Sequence, residues 1–470
     1  MPFDVITVGG GFAGMVTACR AGQLGLKVAV LERESDERYR CNSRYTTGVF
    51  SVMGQPARAP AEQIVRAIME RTDGTAKAEL ARAIASNAGR AADWLVAEGM
   101  RFMAVTTPGG RQLMLGPARR FKEGLDWEGR GGDFLLRTFE KHLVARGGQL
   151  LRGTRVESLA MEDGRCVGVH AVQDGKPVRI EAKYVAIADG GFQANAEMVR
   201  RYIGPTPERM LVRAAPGGRG DGIRMAEAAG AALGGFGAFY GHLHHIDAMK
   251  NERLWPYPHF DAVAETSLLV GADGKRFTDE GLGGVYMTNA IAHLQDPLST
   301  FVIYDDAMWK GEPGKAPPVA VNPFLMSGGG WMHSAPNLAA LASMVGLPPT
   351  ALEETVREYN DAVINDRVAQ LKPTRTTTRF KPLPIATAPF HAVPLCAGLT
   401  QSMGGIEINA HAQALRADGN PMAGLYAVGA SVSRVEGGPR VGYAGGLCKA
   451  FVLGLVAAEH MADASKGGSS

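Results

Sequence analysis

Three glycines, Gly9, Gly11 and Gly14, span the junction between an apolar run ending at Val8 and residues 12–25, whose apolar positions recur at helical spacing. Gly9 makes a tight turn, Gly11 lets the backbone approach a pyrophosphate, and Gly14 lets a helix pack close to its strand. Phosphates then lie on the open N–H groups of the first helical turn, at Phe12 and Ala13, where the macrodipole is positive. Glu32 closes the next apolar run, Val28 to Leu31, and is placed to accept a hydrogen bond from a ribose 2′-hydroxyl. A carboxylate there repels a 2′-phosphate, which argues against NADP. Strand, glycines, helix, strand and acid arrive in order within about thirty residues, the context that a dinucleotide fingerprint requires. The fingerprint alone does not separate FAD from NAD.

The elements that must position this cradle run through the whole chain. Amphipathic helices are expected at 61–72, 76–98 and 132–147, the last with Asp133 as a candidate cap. Residues 150–158, 166–172 and 178–182 alternate as an antiparallel meander with turns at Asp163-Gly164 and Asp174-Gly175. Residues 184–192 form a further buried strand ending in Gly190-Gly191, and Gly424 to Gly429 a last core strand before the helix 446–461. Residues 238–375 are rich in His, Trp, Pro and Gly, with helices at 336–345 and 350–366 inside them. They read as an inserted cap. The division expected is 1–237, first part of the dinucleotide domain; 238–375, cap; 376–464, second part; and 465–470, a disordered tail.

With 470 residues and 46% hydrophobic composition the chain buries a large core. A net charge of +3 with acids and bases intermixed leaves no footprint for nucleic acid. Helix 446–461 carries Lys449, Glu459 and His460 and is too short and charged to span a bilayer. The sequence opens on a core strand, leaving no room for a signal peptide, and its 5 cysteines follow no metal, haem or redox spacing. Reduced thiols in a cytoplasmic protein are expected.

Taken together these stretches resemble the flavoprotein family of fumarate reductase and succinate dehydrogenase, in the branch with tricarballylate dehydrogenase and 3-ketosteroid Δ1-dehydrogenase. The resemblance rests on the first glycine motif with Glu32; Asn42-Ser-Arg-Tyr-Thr-Thr-Gly48; Ala188-Asp-Gly-Gly-Phe192; Arg219-Gly-Asp-Gly222; Asp273-Gly-Lys-Arg-Phe-Thr-Asp-Glu280; Met403-Gly-Gly405; and Gly424 to Gly429 with Gly442-Tyr-Ala-Gly-Gly446. It implies an α/β fold: a discontinuous Rossmann-like FAD-binding domain with an inserted α+β cap, and substrate held between flavin and cap. The cofactor implied is FAD, non-covalently bound. By family position Asn42, Ser43, Thr47 and Gly48 line its pyrophosphate and ring edge, and Gly190 and Gly191 its adenine side. Gly429, Gly445 and Gly446 face the pyrimidine end, where a helix N-terminus stabilises the charge of reduced flavin. Further contacts are expected at Arg33, Val156, Asp189, Ala430 and Leu447. Close helix packing would demand Gly445 and Gly446 as well.

The family's dicarboxylate machinery is changed here. The acid arginine that follows the Lys-Arg-Phe stretch is replaced by Gly283-Gly284-Val285, and the clamping histidine and arginine by Gln401 and Tyr443. Tyr443-Ala-Gly resembles the Tyr-Pro-Gly of the tricarballylate and ketosteroid enzymes, so Tyr443 is the expected donor to a substrate carbonyl or carboxylate. Candidates for the acid or base are Tyr286 and the cluster Tyr240, His242, His244 and His245, with His244 and His245 foremost. That cluster, with Asp247 and Asp261, also has the composition of a metal site, but the family needs no metal and none is expected. Carboxylate-gripping arginines would come from Arg44, Arg119, Arg120, Arg213 or Arg440, with Arg44 and Arg440 favoured by their glycine-rich loops. Asp279 and Glu280 read as structural, and Asp189 stands where the family has a small neutral residue.

The function expected is an FAD-dependent dehydrogenase or reductase acting on a CH–CH bond next to a carboxylate or ketone, tricarballylate-dehydrogenase-like. A desaturase of a steroid or cyclic ketone and a non-catalytic flavin-binding subunit are the alternatives. Electrons would leave to dioxygen, a quinone or a separate acceptor protein.

Overall fold

The principal sheet runs in the order Gln413–Leu415, Pro421–Ala427, Lys176–Ile187, Phe3–Val8, Val28–Leu31, Gln149–Leu151. Its neighbours are parallel except at the Gln413–Leu415 edge. This computed structural model describes residues 3–107, 110–119, 122 and 124–467. Val5, Ile6, Val28 to Leu31 and Val185 to Ile187 are buried. Strands covered by helices on both faces are unbroken apolar runs for that reason. Phe3–Val8 sits in the middle, and the chain builds first to one side of it and then to the other. The strand order therefore reverses there, and a crevice opens beyond its carboxyl end.

Helix Phe12–Gln23 packs against the final helix, Gly446–Gly467, which in turn packs on Ala78–Ala97. The approach of first helix and first strand is close: a Cβ on Gly14 would stand 2.0 Å from the carbonyl oxygen of Gly9. Only glycine fits there.

A second sheet has Phe390–Ser402 at its centre, flanked by Phe239–His245, Phe301–Asp305, Leu211–Val212 and His333–Ala335, with Leu268–Val270 beyond. The 13 residues of Phe390–Ser402, which follow the expected division at 375, form the middle of this second sheet. The run is apolar enough to be a core strand of either sheet, and apolarity does not say which. Residues 178–182 and 184–187 are likewise one strand. Lys176–Ile187 pairs antiparallel with the meander over its first half and parallel with Phe3–Val8 over its second.

Two smaller expectations also change. The final helix continues through Ser465 to Gly467, and 468–470 lie outside the described residues. Asp133 is not a cap: it is buried inside helix Gly131–Ala145 and ion-paired with Arg44 and Arg38, with Gly129 N–H donating to it at 2.8 Å. Among the described residues no helix is long and apolar enough to cross a membrane.

Candidate active site

A cavity of about 1070 Å³ opens where the carboxyl ends of Phe3–Val8, Val28–Leu31, Lys176–Ile187 and Pro421–Ala427 converge, and its far wall is the second sheet. Every residue expected to touch the cofactor lines it except Gly14 and Gly48. Gly14 serves the helix–strand contact described above. Gly48 turns the chain at φ +89°, where an added Cβ would stand 2.9 Å from Leu115 Cβ.

At the nucleotide end, helix Phe12–Gln23 starts from Gly11, which offers no side chain to bond the first-turn N–H groups. Ser43 Oγ accepts from Phe12 N at 2.9 Å. The Glu32 carboxylate accepts from the N–H groups of Gly10 and Glu34, each at 3.0 Å, and burial raises its pKa. Asp189 ties two elements together. One oxygen accepts from Gly222 N at 2.7 Å, tying the strand end to helix Asp221–Ala228, and burial pushes the carboxyl up to about 7. Its other oxygen is buried and has no protein partner, and neither has Gln401 Nε2 farther along the same wall. Two helix N-termini, at Gly11 and Gly446, meet the same space. A glycine turn leading into a helix N-terminus at one end, an acid for ribose, and unpartnered polar atoms along the wall fit FAD.

At the cap end, strand Phe239–His245 alternates, so Tyr240, His242 and His244 share a face. The partner strand bulges where Tyr240 opposes Gln401 but Gly241 opposes Leu399. The extra residue is Thr400, whose carbonyl accepts from Asn42 Nδ2 at 2.9 Å and whose Oγ1 accepts from Arg213 Nη1 at 3.0 Å. Bulges re-aim side chains in this way. Tyr240 stacks on Tyr443 with ring centres 3.8 Å apart and planes 10° apart. The Tyr443 hydroxyl accepts from Gly446 N at 2.7 Å, and burial raises its pKa well above the usual phenol value. Behind Tyr240, its hydroxyl lies 2.9 Å from His242 Nε2, and His242 Nδ1 lies 2.6 Å from Asp261 Oδ2. Asp261 Oδ1 accepts from Leu243 N at 3.0 Å. Burial disfavours the charge on Asp261, but the two histidines beside it and these hydrogen bonds outweigh that and hold its pKa below the carboxylate range. His259 stacks on His242 at 4.2 Å, and burial lowers its pKa to about 3.

The expected acid–base histidines are corrected by this arrangement. His244 is fully buried and does not line the cavity; both its ring nitrogens lack partners, and burial with Arg213 nearby keeps it neutral. It shares the face of His242 but lies one step deeper. His245 points to the opposite face, accepts from Asp247 N at 3.0 Å and packs on Trp331. Arg44 is also removed from the site, because it is spent on Asp133 and donates to Tyr39 O at 2.9 Å. Arg119 pairs with Asp126 away from the cavity, and Arg120 lies outside the described residues.

Tyr443, Tyr286, Gln401 and Arg440 line the cavity, Arg440 being exposed and close enough to Arg71 to lower its pKa, after burial. Arg213 also lines the cavity, braced by Pro256 O at 3.0 Å and lying over the Tyr257 ring. Asp279 and Glu280 hold the cap together, Glu280 through Arg276 and Asp279 through the N–H groups of Gly281 and Thr376. Sequence reasoning missed Glu265, whose carboxyl lines the cavity, accepts from Gly284 N at 3.1 Å and is pushed by burial to about 7. Its signal was faint: Asp261 and Glu265 stand i, i+4 on a short helix. The ligand-type atoms of His242, His259 and Asp261 lie within 4.8 Å of one another. The Asp261 oxygens, however, are already engaged by His242 and Leu243.

Comparison with known proteins places this site in context. Residues 4–443 match the model of a family described as FAD binding domain. Over 99% of its length the chain is 27% identical to NADH:fumarate oxidoreductase of Klebsiella pneumoniae (strain 342) and covers 48% of it, so it spans about half the length of that relative. Among solved structures it is similar to the open conformation of a flavocytochrome c3 fumarate reductase, with TM-score 0.70 and 23% identity over 98% of this chain and 78% of that one. It is similar also to 3-ketosteroid Δ1-dehydrogenase from Sterolibacterium denitrificans, with TM-score 0.77 and 19% identity over 98% and 100%.

Proposed function

This chain belongs to the FAD-binding-domain family, and we propose that it is an FAD-dependent oxidoreductase that removes or adds hydrogens across a C–C bond next to a carboxylate or ketone. When bound, FAD supplies the two-electron acceptor or donor. The protein must then hold the carbonyl and manage a proton. The observation that carries this reading is the stacked pair Tyr240 and Tyr443 at the N-terminus of helix Gly446–Gly467. Because the Tyr443 hydroxyl accepts from Gly446 N, its own proton is left to donate to a substrate oxygen, and its high pKa keeps that proton in place. Gln401 Nε2 is a second donor on the same wall.

The vacant arginine position, Gly283-Gly284-Val285, separates this site from the fumarate pattern. For an acid, Arg213 is the braced guanidinium within the cavity and replaces Arg440 as the favoured grip. A tricarballylate-like acid is the substrate class this supports. The second reading, a cyclic ketone, is favoured by the aromatic rings of Tyr45, Trp255, Tyr257 and Tyr286 on the cavity wall. Non-covalent FAD fits the chemistry of Cys41, the cysteine on that wall, whose thiol burial pushes up to about 11. The five cysteines are all free, which supports a reducing compartment, the cytoplasm. A quinone, dioxygen or a separate protein would exchange the electrons.

The test is anaerobic mixing of purified protein with a panel of small acids and cyclic ketones while flavin absorbance is followed. Bleaching by one class names it. No bleaching across both, with reoxidation by none of the corresponding enoates or enones, returns the protein to a flavin-binding subunit.

A further inference from the structure

We propose that Tyr240 is the proton-transferring group of this site and that His242 and Asp261 are its positioning residues, forming a hydroxyl–imidazole–carboxylate chain. The proposal rests on the functional reading above, since it supplies the proton that such a reaction must move. Nothing in that reading decides which cap residue does so.

The direction of the chain follows from the bonding capacity of each group. A carboxylate only accepts, so the 2.6 Å contact with Asp261 places the His242 proton on Nδ1. Neutral His242 then has Nε2 as an acceptor, and the 2.9 Å contact is a bond donated by the Tyr240 hydroxyl. With its proton turned towards His242, Tyr240 Oη offers a lone pair to the cavity that it lines.

In the dehydrogenating direction the substrate C–H bond next to the carbonyl breaks and its proton joins Oη. The hydroxyl proton passes to Nε2, and the electron pair stays on the substrate as an enolate held by Tyr443. The resulting imidazolium is stabilised by ionised Asp261, the same logic as in hydrolase triads. In the reducing direction each proton retraces its path.

The position of Asp261 is itself built for this. A Cβ on Gly284 would stand 2.1 Å from Asp261 Cγ, so a side chain at 284 and this carboxylate exclude one another. Two other titratable groups stand near Asp261: His259, whose Nδ1 lies 3.7 Å from Asp261 Oδ1, and Glu265, one turn on along the same helix, which accepts from Gly284 N at 3.1 Å.

The experiment uses FAD-loaded protein and whichever substrate bleaches it. Tyr240→Phe keeps the ring stack and removes the hydroxyl. It is expected to slow flavin reduction by about 10²–10⁴-fold, the usual size of acid–base catalysis, while substrate Kd changes by less than about threefold, the signature of an interaction made only in the transition state. Asp261→Asn is expected to slow it with the same split. Independently of turnover, nitrogen-15 NMR of histidine-labelled protein reads the tautomer: protonated Nδ1 and an Nε2 resonance moved by Tyr240→Phe support the chain. Wild-type rates in Tyr240→Phe, or a His242 proton resting on Nε2, overturn it. Should no substrate bleach the flavin, the functional reading fails, and the NMR result still decides the hydrogen-bond chain either way.

Discussion

The two ends of the cavity are built in opposite ways. The nucleotide end is made of backbone: turns and helix starts at the ends of parallel strands, with Glu32 and Ser43 fixing N–H groups in place. The cap end is made of side chains brought from far apart, Tyr240 and His242 on one strand, Asp261 on a short helix, Gln401 on a bulged strand and Tyr443 in the loop before the last helix. A backbone site tolerates little change in shape and is indifferent to most side chains. A side-chain site is the reverse, so the first fixes the cofactor and the second is free to choose a substrate.

That contrast can be broken at its strongest point with Gly14→Val. Its new atoms would meet the Gly9 carbonyl at 2.0 Å, so the variant is expected to purify without FAD and to gain none on incubation; retention of the yellow cofactor would remove the close-packing argument. Next in size is Lys449→Met. Lys449 and Glu436 are a fully buried ion pair, and Glu436 also accepts from Ala444 N at 3.2 Å, fixing the loop that serves both ends. Leaving one buried charge alone costs about 3–5 kcal/mol, to be read as a fall in Tm, whereas replacing both partners with apolar residues should restore most of it.

Arg213→Gln sharpens the choice at the cap end. For an acid substrate KM should rise at least tenfold, about 1.4 kcal/mol, with kcat little changed; for a cyclic ketone neither should move. Arg440→Ala, at the exposed rim, should have the smaller effect on KM.

The smallest effect is a pH slope. Asp189 and Glu265 each titrate near 7 when folded, raised from 3.8 and 4.5 by burial. The folded protein therefore holds protons that the unfolded chain has released, and stability falls as pH rises from about 4 to 7. Asp189→Asn and Glu265→Gln should each flatten that slope in thermal melts. An unchanged slope in the double variant would show that neither carboxyl is protonated in the fold.

The same contrast explains what could be read beforehand. The glycine cradle, the meander turns and the final strand were legible because each is a local pattern whose backbone conformation needs those residue types. The acid–base chain was only partly so. Alternation along 239–245 puts Tyr240, His242 and His244 together, but nothing local says that the cavity stops at His242 and leaves His244 in the core. Asp261 becomes a partner only because residue 284, 23 positions on, lacks a side chain. Arg44 looked ligand-facing from its loop and instead found a buried acid on a helix far along the chain, Asp133. The place of strand 390–402 in the second sheet was not legible, because its apolarity could be read and its neighbours could not.

The contact between helix Phe12–Gln23 and helix Gly446–Gly467 also bears on biosynthesis. The floor beneath the glycine turn is supplied by residues synthesised roughly four hundred positions after the helix they cover, and the strand Pro421–Ala427 joins the sheet only shortly before them. A nascent chain lacking those residues carries an apolar first helix with nothing to cover it, the kind of surface that chaperones hold. Cofactor capture is thereby deferred until translation has passed the final helix.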